Sequence, residues 1–346
     1  MLDRIDTHVH LLPPAYVAAI EADGGDPGKF PFPEQSFEAI VESMNKIGTS
    51  ITILSVPSPN TAVASTEEAG RKMARHINEY LAEVAASSKA QHRFGFFGSL
   101  PDWQDVDGTL AEIDFLYKTQ RLCFGVIALT SYGPKLLGDP AFKPIWGKLQ
   151  AYKALLFTHP TLLDVRPRHV AGGFPQAIVE YPLSTTRTAA DLVLRGTLRA
   201  YPDVDVILSH AGGALPFLAD RILTSLLVPP VATMAPVLMT PEEAKAEFAK
   251  FYYDVSLSNG AAQIGGLLEV ADPSRVLFGS DFPFAPQQVV DSQNELHDRF
   301  VATHPRGFMV APGALRQNSQ SLLIKHQQGQ EIDWNFKVNT ERASRL

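Results

Sequence analysis

Short apolar runs of strand length alternate along the chain with stretches long enough to form helices. The runs, rich in β-branched and aromatic residues, are Arg4 to His10, Thr49 to Val56, Arg93 to Leu100, Leu122 to Leu129, Ala154 to His159, Val204 to His210, Phe251 to Ser258 and Arg275 to Phe282. Helical patterns lie between them, among them Ser36 to Ile47, Thr66 to Ala86, Val106 to Thr119, Thr188 to Tyr201, Gly213 to Leu226 and Ala261 to Val270. Strands apolar along most of their length, joined by helical crossovers, predict a parallel sheet covered by helices. Eight of them predict an α/β fold of the closed (β/α)8 TIM-barrel type. No Gly-x-Gly-x-x-Gly fingerprint follows a strand, which argues against a dinucleotide fold.

Three segments break the rhythm: Gly24 to Pro33, Thr161 to Ser184 and the Pro-rich Val228 to Pro241. Insertions after barrel strands lie on the face where chemistry happens, so these are expected to shape a substrate pocket or a subunit contact. None reads as a linker. The expectation is one domain over residues 1–346, with a barrel core from about 4 to 323 and a polar, partly extended tail from 325 to 346.

Hydrophobic residues make up 45% of the chain and charged residues 19%, enough apolar material for a large core. Net charge is -7 without a Lys/Arg cluster, which argues against nucleic acid as a partner. No run reaches membrane-span length, and the charged opening MLDRIDTHVHLLPP does not read as a signal peptide. A cytoplasmic location is the expectation, with a peroxisomal one suggested by the ending Ser344-Arg345-Leu346, one conservative change from the Ser-Lys-Leu address. The single cysteine, Cys123, lies in an apolar run, reads as a core residue and fits a reducing compartment.

Candidate chemistry follows from where histidines and aspartates fall on the strands. His8 and His10 stand two apart at the end of the first run, and period-two geometry turns both to the same face, the barrel interior. His159 ends the fifth run, His210 the sixth, and Asp281 falls at the end of the eighth; turn-forming Pro160, Gly212 with Gly213, and Pro283 follow them. All five face the catalytic mouth of a barrel. Three imidazoles and a carboxylate suit one divalent ion, zinc foremost, with manganese or iron also compatible. A lone histidine at a strand end is more often a satisfied polar side chain, and only the joint placement carries the metal reading. His76, His92, His169, His297, His304 and His326 are assigned no function, and Asp3 and Asp6 read as structural.

The motifs His8-Val9-His10, Thr158-His159-Pro160, Ser209-His210-Ala211-Gly212-Gly213 and Gly279-Ser280-Asp281-Phe282-Pro283 occur in an order that resembles the amidohydrolase superfamily. More narrowly the chain is similar, from Arg4 to about Leu323, to the branch of aminocarboxymuconate semialdehyde decarboxylase and the non-oxidative aromatic acid decarboxylases. Within that branch Arg93-Phe94-Gly95-Phe96-Phe97, Leu129-Thr130-Ser131-Tyr132-Gly133 and Leu12-Pro13-Pro14-Ala15-Tyr16 resemble most the 6-methylsalicylate decarboxylases. The resemblance implies that His8, His10, His159 and Asp281 bind the metal. It also implies that His210 and Asp281 are catalytic and that Arg221 binds a substrate carboxylate across a homodimer interface. A second substrate arginine of the semialdehyde enzyme has no counterpart in Phe30 to Phe37, which favours a small monoanionic aromatic acid. The implied reaction is 6-methylsalicylate to 3-methylphenol and carbon dioxide; hydrolysis of a lactone, ester or amide on the same scaffold is the alternative, and a non-catalytic metal-binding protein stands third. Phe282, Phe284 and Tyr132 are candidate ring contacts, with core packing the competing role.

Overall fold

Eight parallel strands form one sheet in chain order: β1 (Arg4–His10), β2 (Thr49–Ser55), β3 (Phe94–Ser99), β4 (Cys123–Leu129), β5 (Leu155–His159), β6 (Asp205–Leu208), β7 (Tyr252–Asp254) and β8 (Val276–Leu277). The structure, a computed structural model, describes residues 3–22, 24–34, 36–329 and 331–338. β1 and β8 close the ring: Thr7 N donates to Phe278 O at 3.1 Å, Asp281 N to His8 O at 2.8 Å and His10 N to Phe282 O at 2.9 Å. With helices packed outside it, this is the expected (β/α)8 barrel.

β6, β7 and β8 are shorter than their apolar runs. The backbone turns left-handed beyond their ends, at His210 (φ 55°), Leu257 (φ 51°) and Asp281 (φ 64°). Non-glycine residues held in that region carry strain of order 1–3 kcal/mol, which the surrounding structure must offset.

Inside the barrel, Phe97 of β3 and Phe157 of β5 are fully buried, with ring centroids 5.3 Å apart. Phe157 meets the edge of His8 at 4.9 Å, so odd-numbered strands build the layer that floors the site. Burying each phenyl stabilises by about 1.5–3 kcal/mol and keeps water out from below. Asp6, on the same side of β1 as His8 and His10, accepts from His8 N at 3.0 Å and Ser280 N at 3.1 Å. Burial outweighs those bonds and pushes its carboxyl up to about 7.

Two segments differ from expectation. Helix Gln176–Leu194 begins inside the supposed loop Thr161 to Ser184 and runs through Pro182. An interior proline costs about 3 kcal/mol, which is why the sequence pattern reads a break there. Burial of Tyr181, Ser184, Thr185, Thr188, Ala189 and Leu192 along the helix outweighs it. The helix expected to run to Tyr201 instead stops at Gly196, whose φ of 68° ends it, and Thr197–Ala200 forms a separate turn. The described part of the tail packs against the barrel: His326 Nε2 sits 2.8 Å from Asp205 Oδ2, Trp334 meets Phe124, and Arg93 lies over Phe336. Ser344, Arg345 and Leu346 lie outside the described residues. Cys123 is buried, and burial pushes its thiol up to about 12. Among the described residues no helix is long and apolar enough to cross a membrane.

Candidate active site

His8, His10, His159, His210 and Asp281 meet at the C-terminal mouth of the barrel. Two overlapping sets, His8 with His10 and His159, and His8 with His210 and Asp281, bring their ligand atoms within 4.8 Å of one another. His8 Nε2 lies 3.1 Å from His10 Nε2, and Asp281 Oδ1 lies 3.4 Å and 3.1 Å from these two nitrogens. Every imidazole uses Nδ1 to bond outward: His8 to Asp254 Oδ2 (3.0 Å), His10 to Ser55 Oγ (3.0 Å), His159 to Pro160 O (2.8 Å) and His210 to Ser256 O (3.1 Å). That pattern fixes the ring orientations and leaves Nε2 of each as the ligand atom. Three imidazoles and a carboxylate with their lone pairs converging in a buried space fit a single divalent cation.

The electrostatics agree. Burial lowers the basicity of His10, His159 and His210, which keeps their rings neutral and able to coordinate. Burial also opposes charge on His8, but the Asp254 and Asp281 carboxylates outweigh it and hold that ring up at about 10, so His8 gives up a proton when a cation takes its Nε2. Burial would raise Asp281, yet His8 and His10 keep its carboxyl well below the usual range. The centre thus presents an ionised carboxylate that attracts positive charge.

Asp254 is the functional-site residue that sequence reasoning missed. It ends β7 fully buried, and besides holding His8 it accepts from His210 N at 3.1 Å and Ser256 N at 3.0 Å. One carboxylate therefore positions two of the site's histidines. The available signal was an aspartate at the end of an apolar run in the strand next to β8. Gly279 makes the meeting of His8 and Asp254 possible, since a Cβ there would stand 2.8 Å from His8 Cβ and 3.3 Å from Asp254 Cβ.

A cavity of about 460 Å³ opens above the centre, reached by His159, His210 and Asp281 and walled by Phe30, Tyr181 and Phe284. The first two insertions build it: Phe30 comes from Gly24 to Pro33, and Ala177, Ile178, Tyr181 and Pro182 from Thr161 to Ser184. Gly213 seats the helix that carries them, for a Cβ at that position would lie 1.9 Å from Pro182 O. Phe284 stands 5.5 Å from the His10 ring and 5.8 Å from Phe30. Of the other candidate ring contacts, Tyr132 stacks on Trp103 in the core and Phe282 does not line the cavity. Among the described residues, no lysine or arginine lines it. Arg221, on helix Leu215–Ser225, is exposed and is not brought to the cluster within one chain.

A family model described as Amidohydrolase matches residues 5–308. The chain belongs to the amidohydrolase family. Among curated relatives, it is similar to the 6-methylsalicylic acid decarboxylase of Penicillium expansum, 36% identical over 83% of this chain and 87% of that one. It is also similar to the 6-methylsalicylic acid decarboxylase acuB of Aspergillus aculeatus, 35% identical over 92% of this chain and 95% of that one. Among solved structures it is similar to the 5-carboxyvanillate decarboxylase of Novosphingobium aromaticivorans complexed with manganese and 4-hydroxy-3-methoxy-5-nitrobenzoic acid. That likeness has a TM-score of 0.77 at 19% identity and covers 93% of this chain and 96% of that one. The relatives place this amidohydrolase among the family's carboxy-lyases.

Proposed function

We propose that the protein is a metal-dependent, non-oxidative decarboxylase of a small hydroxybenzoic acid, with 6-methylsalicylate as substrate and 3-methylphenol and carbon dioxide as products. The observation that carries this reading is that His8 and His10 meet both His159 and the Asp281 carboxylate at one end of a largely apolar cavity that, among the described residues, no lysine or arginine lines. These four residues would hold one divalent ion, zinc or manganese, which when bound supplies Lewis-acid charge toward the substrate's oxygens. The relatives named for 6-methylsalicylate support the choice of acid.

Direct loss of carbon dioxide from a benzoate ring would leave an aryl carbanion, so the ring carbon bearing the carboxylate must gain a proton first. The ortho oxygen of the substrate pushes electron density onto that carbon. Asp281, ionised in the free site, takes up a proton as the substrate anion binds and, as the carboxylic acid in that complex, gives it to the ring carbon; a C–H bond forms and aromaticity is broken. The C–C bond to the carboxylate then breaks, its electron pair returns to the ring, and carbon dioxide leaves. His210, held by Asp254 and Ser256, returns a proton from water to Asp281. The Phe97 and Phe157 floor and the Phe284 and Phe30 wall exclude water from the ring.

The test is carbon dioxide release from 6-methylsalicylate by metal-replete protein, with chelated protein as the control. Release that needs the metal is expected. Hydrolysis of a lactone with no carbon dioxide from any hydroxybenzoate would replace this reading.

Among the described residues, one chain brings no arginine or lysine to the cavity, and a second chain could add one. Arg221 stands four residues after Phe217, which is 88% exposed, on one face of the same helix. Exposed Leu227, Met234 and Leu238 extend the apolar surface nearby in sequence. A second copy covering this face makes a homodimer in which Arg221 serves the neighbouring site. Phe217→Glu should then sediment as a monomer, and Arg221→Ala should raise KM about 10-fold or more, the value of one hydrogen bond to a charged group. A monomeric wild type, or an unchanged KM, would remove Arg221 from the site.

A further inference from the structure

Outside the histidine cluster, the described lining of the cavity includes a bonded pair of hydroxyls that the mechanism leaves unused. Tyr181 and Ser58 both line it, and both are at least nine-tenths buried. The Tyr181 hydroxyl reaches Ser58 Oγ at 3.4 Å, and Ser58 Oγ reaches Thr161 Oγ1 at 3.1 Å. The Tyr181 ring stands 6.4 Å from His159, so the pair flanks the metal-binding cluster rather than the outer rim. A bond of 3.4 Å between two hydroxyls is long and weak, since such bonds prefer 2.7–2.8 Å. Buried tyrosine hydroxyls ordinarily find a good partner. Among the described residues this one has only that long bond, and Tyr181 lines the cavity.

Position does not come from the loop alone. Tyr181 sits on helix Gln176–Leu194, whose start is tied down by Gln176: its side chain bonds Leu163 N and O and Arg168 O, and its backbone N–H donates to Gly28 O. Ser58 follows β2 and stands beside His159, its backbone N 3.3 Å from that ring's Nδ1. Two insertions and a strand end thus converge on the two hydroxyls, which makes the pair a built feature. Burial, with Asp26 nearby, pushes the Tyr181 phenol well above its ordinary value, so it remains a neutral donor through the working pH range.

We propose that the Tyr181 and Ser58 hydroxyls form the docking point for the substrate's carboxylate, holding the aromatic ring against Phe284 and Phe30. This rests on the hydroxybenzoate reading given above. A carboxylate oxygen entering between the hydroxyls exchanges one long neutral bond for charge-assisted O–H···O⁻ bonds, which are shorter and about twice as strong. Tyr181 and Ser58 are substrate-positioning residues in this account and move no proton.

The experiment is a titration of metal-loaded protein with two probes that need no turnover: salicylate, which has the carboxylate, and 3-methylphenol, which lacks it. Tyr181→Phe keeps the ring and removes the donor. It should weaken salicylate binding about 10- to 100-fold, while 3-methylphenol affinity stays within about twofold. Ser58→Ala, which leaves the helix untouched, should show the same selective loss and serves if Tyr181→Phe does not fold. In turnover both variants should raise KM far more than they lower kcat. Unchanged salicylate affinity, or equal weakening of both probes, would overturn the assignment. A wild type that binds salicylate through these hydroxyls yet releases no carbon dioxide from any hydroxybenzoate would uphold the docking point and sink the decarboxylase reading.

Discussion

Asp281→Asn is expected to lower kcat for carbon dioxide release by at least about 1,000-fold, combining loss of the proton donor with loss of an anionic ligand. Asparagine is the informative replacement. Asp281 has φ 64°, and asparagine, like aspartate, tolerates the left-handed region, whereas alanine would add backbone strain. The backbone bonds of Asp281 N to His8 O and Ala285 N to Asp281 O do not involve the side chain and survive the change. The variant should therefore fold, with a Tm lowered by the lost carboxylate contacts to His8 and His10, while losing activity and weakening its hold on metal. Activity within tenfold of wild type in a metal-replete variant would remove Asp281 from the proton-donor role.

His210→Asn should cost about 100- to 10,000-fold in kcat, the usual weight of a general acid or base, while metal content stays near one ion per chain. The structure makes this a real choice, because His210 approaches His8 and Asp281 as one of two overlapping ligand sets. Its φ of 55° again favours asparagine as the probe. Retained metal with lost turnover is the outcome for a catalytic neighbour; loss of the ion would instead make His210 a ligand. Full activity would show that the proton returns to Asp281 by another route.

Much of this site is legible before folding because a barrel converts sequence position into spatial position. Strand ends become one rim, so His8, His10, His159, His210 and Asp281 can be placed together from the strand count alone, and period-two geometry turns the His8–His10 pair inward. The family motifs add roles to those positions. Asp254 escaped because its work is done through two other residues, by bonds to His210 N beyond the neighbouring strand and to His8 Nδ1 on β1, two strands away. Nothing local to Tyr253-Asp254-Val255 announces such bonds.

The same division holds at larger scale. Eight strands, their parallel order and the catalytic mouth follow from apolar runs and crossovers, which are local patterns repeated along the chain. The helix through Pro182 does not, because local propensity opposes it and only packing against the barrel, with Gly213 giving way to Pro182 O, makes it favourable. That helix carries Tyr181, and with Phe30 and Phe284 it shapes the cavity over the cluster. Ligand chemistry is therefore readable from residue types at strand ends, whereas the walls that choose a substrate arise from burial between segments more than a hundred residues apart, which no single stretch of sequence encodes.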